Sequence, residues 1–242
     1  MTEARPAFYA LAPGGWRDYV TLLHPPYTAW HLSYVVIGAC LAPHLYQGRL
    51  AAAVLAFFLG LGISAHALDE LNGRPLQTKI PEGVLVGLTI VPLAIAVGIG
   101  IAGALAFNGW LLVFVATGLA LVPVYNLELF GGVIHNGAGF ALAWGAFPLL
   151  TGYFVCAGTI TWTALLAAAY ATLTSYAQRV LSTPVRHLRR RVAAVGGTIE
   201  LRDGSREPIT HETLTAAPER ALKVLAAANV ALAAALLVFR LA

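Results

Sequence analysis

Apolar runs of about 20 residues constrain this chain more than any motif it contains, because that is the length a helix needs to cross the hydrocarbon of a bilayer. Residues 29–46, 50–68, 83–106, 109–125, 138–157, 160–180 and 220–240 are such runs, with few charges in any of them. Their side chains do not alternate polar and apolar, which excludes a membrane β-barrel; helices satisfy each backbone group within the segment. The expected fold is all-α, a polytopic transmembrane helical bundle of about seven spans forming one membrane domain over 1–242. Composition agrees: apolar residues make up 59% of the chain, charged residues 11%, and mean hydropathy is +0.75, far from a surface wetted by charge.

The basic residues give an orientation. Of the 15 Lys and Arg, all but Arg49 and Arg240 fall in the N-terminal segment, the loops 69–82, 126–137 and 181–219, or the helix ends beside them. The positive-inside rule makes that face cytoplasmic. The N-terminus then lies inside and the C-terminus, after seven spans, on the opposite side of the cell membrane. All 11 acidic residues share the cytoplasmic face, so chemistry is expected there. Basic loops on such a protein are explained by orientation and anionic lipid, so the lipid bilayer, and no nucleic acid, is the expected partner. Cys40 and Cys156 stand alone in separate spans and read as small core residues. The first 22 or so residues lack the pattern of a cleavable signal. Trp16, Tyr19, Val20 and Leu23 share one helical face over 16–23, the pattern of a short interfacial helix. In the insert 182–219, alternation around Asp203-Gly204 predicts a β-hairpin.

One stretch concentrates chemistry: His66-Ala67-Leu68-Asp69-Glu70-Leu71-Asn72-Gly73-Arg74-Pro75, where the second apolar run meets a loop. His66, Asp69 and either Asn72 or Gly73 are three or four residues apart and share one helical face. An ionisable group at the end of a span is a functional candidate by default. Asp69 and Glu70 are candidate ligands for Mg²⁺, a hard cation bound by one or two carboxylates plus substrate phosphate oxygens. Pairing with Arg74 and Lys79 is the purely structural alternative, and His66 with Asp69 would suit a softer metal. His31 lies one turn inside the first span, near enough to His66 to share a cavity, while His135-Asn136 either joins a site or caps the fifth span.

These motifs resemble the UbiA superfamily of intramembrane prenyltransferases, bundles of usually nine helices with an N-D-x-x-D-x-x-x-D stretch closing the second. The matching positions here are Ala65, His66, Asp69 and Gly73, so one carboxylate of the pattern is present. His24-Pro25 stands where the family often has Arg-Pro, Gly38-Ala39 follows at the family's distance, Tyr125-Asn126 is similar to its Tyr-Ser turn, and Gly131 through Tyr153 resembles its fifth helix. The resemblance covers about residues 20–190. The family's second acidic motif would align near Gln178, Arg179, Ser182 and Arg186, where no carboxylate remains.

The resemblance implies an isoprenyl diphosphate as substrate, a lipophilic or aromatic acceptor, and Mg²⁺ as cofactor. Asp69, His66 and Tyr125 are the implied catalytic residues, and Asn72, Arg74, Lys79, Asn126, Arg179, Ser182 and Arg186 the implied substrate contacts. With carboxylates missing, Arg179, Arg186, His187 and Arg189 are expected to meet the diphosphate directly, since guanidinium forks match phosphate oxygens. Tyr125, Trp144 and Tyr153 are candidates to line a prenyl pocket and steady an allylic cation. Two alternatives remain open: a non-catalytic relative that binds an isoprenoid, quinone or lipid, and a terpene cyclase or a His-ligated metal protein using His31, His66 and His135.

Overall fold

The computed structural model describes residues 5–242. Each apolar run becomes a long helix: α2 (Pro25–Leu41), α3 (Gln47–Leu71), α4 (Glu82–Ala106), α5 (Leu111–Asn126), α6 (Gly137–Ala157), α7 (Trp162–Arg191) and α8 (His211–Leu241), preceded by the short α1 (Trp16–Leu22). By length and composition, α3, α4, α6 and α8 are able to cross a membrane, and α5 is a shorter apolar helix. Outer faces of two of them support this: Ile90 is 61% and Leu105 84% exposed on α4, and Val238 and Phe239 are bare on α8. Apolar surface on that scale is stable only against lipid or another protein. Trp16 and Tyr19 face outward on α1 while Asp18, Thr21 and Leu22 are buried, the division expected of an interfacial helix. The expected hairpin forms between β1 (Thr198–Glu200) and β2 (Arg206–Pro208), paired antiparallel.

α2 is the central element, and its partners approach through glycine. A methyl at Gly38 would strike the Leu149 carbonyl, and one at Gly152 the Val35 carbonyl, so α2 and α6 meet backbone to backbone. Small residues permit such contact where water provides no driving force. Trp30 and Tyr34 lie buried on α2 against Leu149, Ala171 and Leu222. Tyr34 Oη shares a 2.7 Å hydrogen bond with Thr174 Oγ1 of α7, which satisfies its one polar atom within the core.

The two ends of the bundle differ. At one, Arg240 donates to the Ala42 and Pro43 carbonyls and Asn108 to the Gly158 carbonyl, closing short turns. At the other lie the long connections and the N-terminal segment. Asp18 accepts from the backbone N–H groups of Gly14 and Lys79, and Asn72 donates to the Asn126 carbonyl at 2.9 Å. A forked Arg189–Glu219 pair joins α7 to α8.

Two helices widen where they reach this second end. α3 is π-helical over Phe58–Ala65 and α6 over Leu142–Ala146. Wide turns of this kind are rare and cost regular hydrogen bonding, and they gather at functional sites. Here they flank the same polar cavity.

Candidate functional site

The cavity occupies about 110 Å³ among α2, α3, α5, α6, α7 and the N-terminal segment. Its positive charge comes from α7. Arg179, Arg186 and Arg190 are seven and four residues apart, so the helix period aligns them on one face, and all three line the cavity. Burial, then the like charges of Arg179 and Arg190, lower Arg186 from its ordinary value to about 10. The guanidinium stays charged near neutrality, in a setting that would be relieved by an anion. Arg179 also lies over the Phe140 ring, 5.6 Å from its centroid.

α3 contributes His66 and Asp69, one turn apart, and α2 contributes His31. The widened segments fix the rings. His66 Nδ1 donates to the Gly62 carbonyl at 3.1 Å, and His31 Nδ1 to the Trp144 carbonyl at 2.8 Å. A carbonyl only accepts, so each Nδ1 carries the proton and each Nε2 presents a lone pair. His24 lies between α1 and α2 in the left-handed region (φ 47°), a conformation in which its ring stacks on His66 with centroids 4.0 Å apart. Such backbone is uncommon outside glycine and is a reason to look for function.

α5 ends at Tyr125 and Asn126, both lining the cavity. After them the chain makes a left-handed turn: Glu128, Phe130, Gly131 and Gly132 all have positive φ. That turn folds His135 back onto Tyr125, where it donates to the Tyr125 carbonyl at 3.0 Å and stacks at 4.6 Å. Asn136 caps α6 by accepting from Gly139 N–H. Trp144 meets Tyr125 edge to face at 5.5 Å, which lines the cavity floor with aromatic rings.

Three buried polar atoms have no hydrogen-bond partner among the described residues: His24 Nε2, Tyr125 Oη and Gln178 Oε1. All three belong to residues of this one cavity. Buried polar groups are nearly always paired, so a polar ligand or ordered water accounts for them best.

A second, apolar chamber of about 270 Å³ adjoins the first and shares Leu61 and Trp144 with it. It runs between α3, α4, α5 and α6 toward the opposite end of the bundle, and Arg49 is its one charged lining residue. The combined space is amphiphilic, with a cationic head end and an apolar tail end.

The structure brings Asp69, His66, Tyr125, Asn126, Arg179, Ser182 and Arg186 together around the one cavity. Others it redirects. Glu70 is fully buried and accepts from Leu76 N–H, Thr78 N–H and Thr78 Oγ1 at 2.8–2.9 Å, so its oxygens hold the loop rather than an ion. Arg74 donates to the Thr78 and Ile80 carbonyls within that loop. Asn72 serves as the α3–α5 tie, Lys79 gives only its backbone N–H to Asp18, and neither lines the cavity. Arg189 is held by Glu219, His187 does not line the cavity, and Tyr153 bonds Thr161 at the far end. Sequence reasoning missed Tyr9, Tyr27, His24, Gln178 and Arg190 as wall residues. Arg190 was legible as one turn beyond Arg186, whereas nothing in the sequence places Tyr9 over a cavity.

Asp69 is the one carboxylate lining the cavity, and no group of three or more His, Cys, Asp or Glu able to hold a metal ion occurs among the described residues. A two-ion diphosphate clamp does not fit this donor set, nor does a site on His31, His66 and His135. One Mg²⁺ sharing Asp69 with phosphate oxygens does fit. Comparison with family models, with curated proteins and with solved structures found no match to this chain.

Proposed function

We propose that this chain is a UbiA-like intramembrane protein, its seven long helices all crossing the cell membrane, that binds an isoprenyl diphosphate at the cytoplasmic face and transfers the prenyl group to a lipophilic or aromatic acceptor. The observation that carries the reading is the junction at Leu61 and Trp144 between the arginine-lined cavity and the apolar chamber. A charged head and an apolar tail on one molecule match that division; a soluble anion would leave the chamber unused, and a neutral lipid would leave the arginines unpaired.

The chemistry follows from the side chains. Arg179, Arg186 and Arg190 bind the diphosphate through charge-assisted hydrogen bonds. They are placed before the reaction to neutralise charge that grows on the leaving oxygen as the allylic C–O bond breaks. Diphosphate departs with the bonding pair. The allylic carbon meets the faces of Tyr125 and Trp144, whose negative quadrupoles suit a cation. An acceptor oxygen or ring carbon forms the new bond to that carbon, and its proton passes to the Nε2 lone pair of His66 or His31. Asp69 would hold a single Mg²⁺ arriving with the diphosphate, which when bound would add to the neutralisation of the leaving group.

The test is binding of geranyl diphosphate to the detergent-purified chain, comparing wild type with Arg186→Gln and Asp69→Asn. Arg186→Gln is expected to weaken binding about tenfold or more, as loss of one desolvated charge-assisted contact does. Asp69→Asn is expected to abolish only the Mg²⁺-dependent part. Binding without transfer to any acceptor would leave a non-catalytic isoprenoid carrier, a reading favoured by the single carboxylate. Absence of binding would overturn the proposal.

A further inference from the structure

The apolar chamber has a floor, and the floor is charged. Arg49 sits near the start of α3, at the end of the bundle remote from Asp69, with its guanidinium 3.7 Å from the Phe107 ring centroid and 4.1 Å from that of Tyr46. It also donates to the Val155 carbonyl of α6 at 3.4 Å. Three elements around the chamber, α3, the α4–α5 turn and α6, are thereby joined across its end. A guanidinium stacked on two rings can sit beside apolar atoms because its stem and planar face are weakly hydrated.

We propose that Arg49, with Tyr46 and Phe107, sets the length of isoprenyl tail that the chamber accepts, and that the preferred tail is short. The inference rests on the proposed function, for which this chamber is the tail site, and adds the substrate's chain length. The chamber's volume sets the scale. An apolar protein cavity of roughly 150 Å³ takes up benzene, with six carbons; in proportion, the chamber's 270 Å³ takes about ten carbons, two isoprene units. A longer tail must displace the Arg49 stack or leave sideways between helices. Ala56 lines the chamber about two turns above Arg49, and Gly60 a further turn up, so small residues keep the upper part open.

The experiment compares binding of geranyl, farnesyl and geranylgeranyl diphosphates, and of inorganic pyrophosphate, to the full detergent-purified chain. Wild type is expected to favour the ten-carbon ligand over the twenty-carbon one by about tenfold, the scale on which an apolar pocket discriminates by size. Arg49→Ala should erase that preference by admitting the long tail. Ala56→Phe should weaken the ten-carbon ligand by a similar factor through filling the middle of the chamber, and it guards against a folding defect at position 49. Pyrophosphate binding should be unchanged in both variants, which certifies the head site and the fold. If every diphosphate binds alike and neither variant alters the pattern, the length gauge is wrong while the proposed function stands. If neither pyrophosphate nor any isoprenyl diphosphate binds, both fall.

Discussion

Two adjacent carboxylates, Asp69 and Glu70, should behave in opposite ways when each is replaced by its amide. Glu70 is fully buried and accepts three hydrogen bonds, two on Oε1 from Thr78 and one on Oε2 from Leu76. In Glu70→Gln the remaining oxygen can still accept from Thr78, but the new NH₂ meets the Leu76 N–H donor to donor. One buried N–H is then unsatisfied, which costs about 1–3 kcal/mol, and the other bonds lose their charge assistance, about 0.5–1 kcal/mol each. The total is about 3 kcal/mol. For a chain of 242 residues this corresponds to a fall in Tm of roughly 6–12 °C. Asp69 makes no such bonds and lines the cavity, so Asp69→Asn should leave Tm within about 2 °C of wild type. Thermal unfolding of the purified variants in one detergent, followed by circular dichroism, measures both. The assignment of Glu70 to the loop would be refuted by a Glu70→Gln protein as stable as wild type that has lost Mg²⁺-dependent ligand binding.

Other outcomes are expected on the same grounds. Gly152→Ala forces a methyl against the Val35 carbonyl and should destabilise the α2–α6 contact by about 1–3 kcal/mol, read as a lower Tm, while Gly83→Ala, with nothing within 4 Å, should be silent. Burial, and then the nearby His66, Arg190, Arg186 and His31, hold His24 well below its ordinary value of 6.5. It is therefore neutral in the folded protein and takes up a proton more readily when unfolded, so stability should decline as pH falls below about 6.5; His24→Gln should make a Tm-versus-pH series less steep there. Glu219→Gln, which leaves Arg189 with a neutral partner on α8, should loosen the α7–α8 contact without weakening geranyl diphosphate binding, since neither residue lines the cavity.

The helices were legible because apolar runs of membrane-spanning length leave little choice of conformation, and the hairpin at 198–208 because alternation around Asp203-Gly204 fixes a turn. Half of the site was legible too: Asp69 and His66 share a helical face, and Arg179 and Arg186 share another. What failed was the assumption that every polar residue in a motif faces the substrate. Glu70 and Arg74 are consumed by the loop that follows α3 and Asn72 by the Asn126 carbonyl at the end of α5, a demand set by tertiary packing that spacing along the chain does not encode. The π-helical segments were equally hidden, since neither Phe58–Ala65 nor Leu142–Ala146 differs in apolar pattern from a regular helix. The cavity's N-terminal wall escaped for a related reason: Tyr9 gains its place through contacts of its own segment, among them the hydrogen bond from Arg190 to the Pro6 carbonyl.

The claim that a charged head and an apolar tail meet at Leu61 and Trp144 is tested most directly by photocrosslinking. A geranyl diphosphate analogue with a photoreactive group at the tail end would be bound to the purified chain, irradiated, and the labelled peptides identified by mass spectrometry. The account predicts labels on chamber-facing positions of α3 and α5 between Ala52 and Phe57 and between Leu111 and Val115, lost in competition with unmodified ligand. Labels confined to the outward faces of α4 or α8, or labelling insensitive to competition, would contradict it.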